Sequence, residues 1–228
     1  MTDDNSDTYI FHQVQPELVV HLKELSAAGV QWTQAVDQAL SKLVCSKETL
    51  IDVIGRIPVQ DGMLDAVHLA HERGWEVAIV SDANTVFIDA FLNLHNLTSI
   101  ITQVFTNHSA FQGDTLHVTP YHPLDQPPHR CPRCPTNMCK GKTADMYFKV
   151  STRLGCIVND VAITYVGSIV KQIKASAEYT KILYIGDGGG DFCPYELLHK
   201  VQQTPVLATV VPWNTGFDIL KGFQAHTA

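Results

Sequence analysis

Basic residues are scarce and never clustered. The chain has 16 Lys and Arg against 23 Asp and Glu in 228 residues, a formal net charge of −7. Without a basic run, a nucleic-acid surface is not expected. The opening stretch, MTDDNSDTYIF, lacks the basic and apolar regions of a secretory signal. The six cysteines therefore read as reduced thiols in a cytoplasmic protein. Uninterrupted apolar runs are short. The most apolar window, Leu154 to Val170, carries Asn159 and Asp160 near its middle and reads as buried core, not as a membrane span. Repeats and low-complexity tracts are absent too. What is present, 45% hydrophobic and 17% charged residues, suits a globular chain with one sizeable core, or a core with a small cap.

The hydrophobic spacing changes period along the chain. Leu18, Val19, Leu22 and Leu25, then Leu40, Leu43 and Val44, fall at helical intervals, so residues 12–56 read as helices. Ser46 is placed as an N-cap, and Pro58 ends the segment. Residues 62–73 form a further amphipathic helix that stops at Gly74. WEVAIVSDAN then gives a buried strand over Val77–Val80 that runs out into polar residues. A helix over 85–96, a strand at ITQVFTN and a hairpin around Gly113-Asp114 follow. Further on come a Pro/Cys/His-rich loop over 122–139, a helix start at KGKTADMYFKV, a strand at KILYI and a last strand at PVLATVVP. Strands alternating with helices predict an α/β fold, a Rossmann-like parallel sheet with flanking helices and a small helical cap.

Two strands end in chemistry. One ends at Ser81 and Asp82. The other, YIGDGGGDFCP, ends at Asp187 and Asp191 among four glycines. In open α/β sheets ligands bind beyond the carboxyl ends of strands. Paired carboxylates there suit Mg²⁺, a hard cation that takes oxygen ligands and keeps waters for a phosphate. Ser81 can hold a phosphate oxygen, and Lys140 at a helix start can neutralise it. The parts together describe phosphoryl transfer. Other readings stand beside this one. GDGGG is a dinucleotide turn or a plain surface turn, although the GxGxxG spacing is not met. Ser81 is a helix N-cap. Cys131, Cys134 and Cys139, with His122 and His129, offer a zinc site or only a thiol-bearing loop. Trp213 reads as packing, and Asp218 as a surface acid.

VSDAN, CPRCPTNMCKGK and YIGDGGGDFCP, in that order, resemble the phosphoethanolamine/phosphocholine phosphatase family of haloacid-dehalogenase-type hydrolases. That group includes plant and microbial thiamine-phosphate phosphatase-like relatives. The resemblance covers most of residues 3–145 and 171–220. It implies a Mg²⁺-dependent phosphatase that hydrolyses a small phosphorylated metabolite through an aspartyl-phosphate. By position, Ser81 resembles the phosphate-binding hydroxyl of the family's second motif and Lys140 the lysine of its third. Asp187 is the Mg²⁺ ligand, supported by Asp191, and Gly188 lies on the substrate side. Asp7 and Asp82 face the substrate's head-group; for Asp7 the bland alternative is an exposed terminal acid. Residues 1–11 are then the remnant of the first motif loop, 12–60 the helical cap and 61–228 the core.

Two departures stand out. The family's Asp-x-Asp-x-Thr, which carries the nucleophile and the acid/base, is not found in this sequence. Its strand is the central one, so the core is expected to lack its first strand and to leave neighbouring strands with unpaired backbone groups. The chain as written is then inactive, or a non-catalytic relative that binds phosphate ligands. Between Lys140 and Asp187 lies an extra apolar segment near 146–170, read as an added strand or as a non-native insertion.

Overall fold

The computed structural model of the protein describes residues 1–122, 138, 150–158, 177–185 and 213–226. Four short helices come first: α1 (Ser6–Val14), α2 (Glu17–Ala27), α3 (Trp32–Leu40) and α4 (Lys47–Gly55). Side-chain caps start three of them; for α3, Gln31 Oε1 accepts the Gln34 N–H at 3.0 Å. Asn5 Oδ1 accepts the N–H groups of Asp7 and Thr8 at 2.9 and 3.2 Å. Ser46 Oγ accepts that of Thr49 at 3.2 Å, as the sequence led us to expect. α5 (Met63–Glu72) follows and ends at Gly74, whose φ of 76° suits glycine.

The sheet elements are β1 (Trp75–Asn84), β2 (Ile101–Gln112), β3 (Thr115–Thr119), β4 (Val150–Val158) and β5 (Ala177–Ile185). Helix α6 (Thr85–Leu94) connects β1 to β2, and α7 (Gly216–His226) closes the described chain. Strand order is β3-β2-β1-β4-β5. The pairs β2–β1, β1–β4 and β4–β5 are parallel, while β3 folds back on β2 through the Gly113-Asp114 turn. This is the Rossmann-like α/β architecture.

Three expectations need correcting. The first helix starts at Ser6, not at residue 12, because Asn5 caps it. β1 does not stop at Val80; it continues through Ser81 and Asp82 to Asn84, all buried. Nor does β1 lack a neighbour on its inner side. β4, from the extra segment, stands between β1 and β5 and pairs with both: Ile79 lies opposite Val158, and Val158 opposite Ile185. The backbone groups that a missing central strand would have left open are met by this one. The predicted helix start at 140–149 and the last strand at PVLATVVP lie outside the described residues.

Two apolar clusters hold the elements together. Leu18, Val19 and Leu22 of α2 pack with Val36 and Leu40 of α3 and with Leu50 and Ile54 of α4; Phe87 of α6 and Leu116 of β3 join them. The other cluster puts Met63, Val67 and Ala70 of α5 against Val77 and Ile79 of β1 and Ile219 and Phe223 of α7. Burying each such large side chain is worth about 1.5–3 kcal/mol, an upper figure. Trp75 and Phe223 meet edge to face at 5.5 Å. Half-buried Trp213 packs against this cluster, as read from the sequence. The chain's first residues are tied down as well. Thr2 bridges Val59, the Asp3 N–H donates to the Pro58 carbonyl at 2.9 Å, and Met1 is buried in the core. That anchoring fixes where α1, and with it Asp7, begins. Asp218 does more than sit at the surface: its carboxylate accepts the N–H groups of Asn214 and Thr215 at the start of α7. No described helix is long and apolar enough to cross a membrane.

Candidate functional site

The sheet brings polar groups to one end. β1, β4 and β5 are parallel and in register, so Ile79, Val158 and Ile185 lie side by side. Two residues beyond Ile79 is Ser81. It is fully buried, and its Oγ accepts the Ala83 N–H at 3.1 Å. That bond occupies a lone pair and leaves the hydroxyl proton to be donated.

Asp82 follows, also buried, and is held from β2. Asn107 Nδ2 donates to Asp82 Oδ1 at 2.9 Å, to the Asp82 carbonyl at 2.6 Å and to the Ala83 carbonyl at 2.9 Å. Asn107 Oδ1 accepts the Tyr121 N–H at 2.9 Å, so the amide is pinned at both ends. Next to it, Ser109 Oγ donates to Asn84 Oδ1 at 2.8 Å and accepts the Val86 N–H at 3.0 Å. This network explains how three polar residues extend a buried strand: Asp82 and Asn84 are met by β2, and Ser81 by the Ala83 N–H. Two atoms beside it have no partner, Asn84 Nδ2 and Thr106 Oγ1, both buried. Unmet polar atoms at a strand end leave hydrogen-bonding capacity for a polar ligand.

Asp7 comes from the first turn of α1. It is 4% exposed, not the exposed terminal acid of the bland reading. Trp32, the first residue of α3, donates its indole N–H to Asp7 Oδ2 at 2.8 Å. A helix N-terminus favours a carboxylate, but burial dominates. Loss of water lifts the Asp7 pKa to about 7; the Trp32 bond opposes the rise, and the charge of Asp82 adds to it. Asp7 and Asp82 therefore lie within electrostatic reach of each other.

Lys140, Asp187, Gly188 and Asp191 lie outside the described residues, as do Cys131, Cys134, Cys139 and His129. Among the described residues no group of three His, Cys, Asp or Glu is placed to hold a metal ion. Sequence reasoning missed Trp32 and Asn107. Asn107 carried a faint signal, an asparagine inside a strand, where that residue is uncommon. Trp32 carried none, because its partner is 25 positions away.

A parallel α/β sheet with buried hydroxyl and carboxylate groups at its strand ends defines a class: a protein that takes a small polar ligand beyond those ends. Comparison with known proteins gives the family. Residues 1–169 match the family described as "Putative Phosphatase". The chain is 30% identical over 242 residues to "Probable phosphatase phospho2" of Xenopus tropicalis, covering 96% of this chain and 91% of that one. It is 30% identical over 250 residues to "Pyridoxal phosphate phosphatase PHOSPHO2" of Bos taurus, covering 97% and 92%. To "Thiamine phosphate phosphatase-like protein" of Arabidopsis thaliana it is 25% identical over 240 residues, covering 94% and 86%. The chain belongs to this phosphatase family of the haloacid-dehalogenase type, and by that resemblance its enzyme class is phosphoric monoester hydrolase.

Proposed function

We propose that the chain binds small amine-bearing phosphate monoesters, of the phosphoethanolamine or phosphocholine kind, at the carboxyl ends of β1 and β5, with Mg²⁺. Ser81 donates its hydroxyl to a phosphate oxygen. Lys140 neutralises the phosphate as a point charge. Asp187 and Asp191, which follow β5 in the sequence, hold the ion, and Gly188 lets the backbone approach the ligand closely. When bound, the ion supplies charge stabilisation for the phosphoryl group. Asp7 and Asp82 receive the cationic head-group. The observation that carries this reading is the buried pair Ser81-Asp82 at the end of β1, with Asp7 within electrostatic reach.

In the family's reaction an aspartate of Asp-x-Asp-x-Thr takes the phosphoryl group. This sequence has no such run, and β4 fills the sheet position between β1 and β5. That favours a second reading for the chain as it stands: it holds the phosphate ligand without turnover. Two relatives are named for pyridoxal phosphate and thiamine phosphate, esters that also carry a ring nitrogen able to bear positive charge.

Calorimetry on the full chain tests the reading. Phosphoethanolamine binds in Mg²⁺, and Ser81→Ala weakens binding by roughly tenfold, the worth of one hydrogen bond to a charged group. Inorganic pyrophosphate, which lacks a cationic end, binds more weakly than phosphoethanolamine. In the same sample p-nitrophenyl phosphate is not turned over. Equal affinity for cationic and anionic ligands would remove the head-group assignment. Turnover would overturn the non-catalytic reading.

A further inference from the structure

We propose that Trp32 is a positioning residue that presents Asp7 to a cationic head-group, so that α3 takes part in ligand selection. The inference rests on the phosphate-ester reading above. Trp32 and Asp7 sit on different helices and are 25 positions apart, so no local capping pattern accounts for their contact. Both lie in the first turns of their helices, so the contact joins the first turn of α3 to the first turn of α1.

The indole has a single N–H and no acceptor, and here it points at Oδ2 of a buried carboxylate at 2.8 Å. A neutral donor orients the carboxylate without cancelling its charge; an Arg or Lys at the same place would cancel it. A carboxylate accepts on both oxygens, so fixing Oδ2 leaves Oδ1 to a second partner. Asp7 is out of water, where an ammonium placed beside it gains more than it would at the surface. Among the described residues, Asp82 of β1 is the charged group whose field reaches Asp7, while Trp32 of α3 and the cap residue Asn5 are neutral.

The experiment compares phosphoethanolamine with ethyl phosphate, which has a similar shape and no ammonium. Calorimetry uses the full chain in Mg²⁺, from about pH 5.5 to 8.5 to bracket the Asp7 titration. The wild type prefers phosphoethanolamine by roughly tenfold, and the preference grows as pH rises through about 7, where Asp7 ionises. Trp32→Phe loses most of that preference, and ethyl phosphate binding does not weaken. It also moves the pH midpoint upward, because the bond that favours the carboxylate is gone. Trp32→Gln, which keeps an N–H donor, restores part of the midpoint. Carboxyl-carbon NMR of the ligand-free chain reads the same Asp7 shift without any binding and in variants confirmed folded by circular dichroism. Unchanged preference and midpoint in Trp32→Phe overturn the positioning role alone. A wild type with no preference overturns the head-group assignment and this inference with it. A wild type that binds neither ester overturns the phosphate reading itself.

Discussion

At the scale of residues, Asp7 is the clearest case of an unfavourable placement kept in the fold. Its pKa rises from 3.8 to about 7, chiefly because burial strips its water. The sign follows from linkage. Below about pH 4 the group is protonated both folded and unfolded, and it has no effect on stability. As pH rises from there towards 7, the unfolded chain ionises first, so stability falls across that window and stays lowered above it. Asp7→Asn keeps an acceptor for Trp32 and removes the ionisation. Thermal melts of the variant should show a higher Tm than the wild type at pH 8, by a few kcal/mol in stability, with little difference at pH 4. A variant no more stable at pH 8 would mean that Asp7 is not held out of water as the structure shows. Much of this residue-scale picture was hidden in the sequence. Asp7 stands in an acidic run, and only the family resemblance singled it out; its burial depends on Met1 to Asp3 docking beside 58–60 and on Trp32 arriving from another helix. Ser81 and Asp82 were legible, because an apolar run that turns polar marks a strand end. Their support by Asn107 was not, because it depends on which strand lies next door.

Among the elements, β4 matters most. Helices α2 to α6 were legible from 3.6-residue spacing, with Ser46 and Gly74 marking caps, since those signals are local; α1, which starts at Ser6, and α7 were not. The extent of β1 was misjudged because Ser81, Asp82 and Asn84 are polar, and the β2 network is what lets Asp82 and Asn84 lie in a buried strand. The position of β4 could not be read from periodicity at all. An apolar, β-branched run says strand, but its place between β1 and β5 is a non-local pairing. A strand paired on both sides gives a sharp expectation. Ile157 lies opposite Ala78 on one side and Tyr184 on the other. Ile157→Pro removes its backbone donor from the middle of the sheet and should cost about 3 kcal/mol or more. Urea unfolding followed by circular dichroism should show a lower midpoint or a lost cooperative transition. An unchanged midpoint would contradict the placement of β4.

For the whole molecule, charge sets the terms of binding. A net charge of −7 and buried acids at Asp7 and Asp82 oppose the approach of a phosphate ester. Binding such a ligand needs positive charge at the strand ends, which Lys140 and a divalent ion would supply. The family match makes this a phosphatase and the sheet is of the Rossmann-like α/β kind; the metal is proposed. The most direct measurement is a Mg²⁺ titration of the full chain by calorimetry, with and without phosphoethanolamine, alongside Asp187→Asn. The account predicts that Mg²⁺ binds the wild type, that it tightens phosphoethanolamine binding by at least about tenfold, and that Asp187→Asn abolishes both effects. Phosphoethanolamine binding that is indifferent to Mg²⁺, or Mg²⁺ uptake that survives in Asp187→Asn, would contradict it.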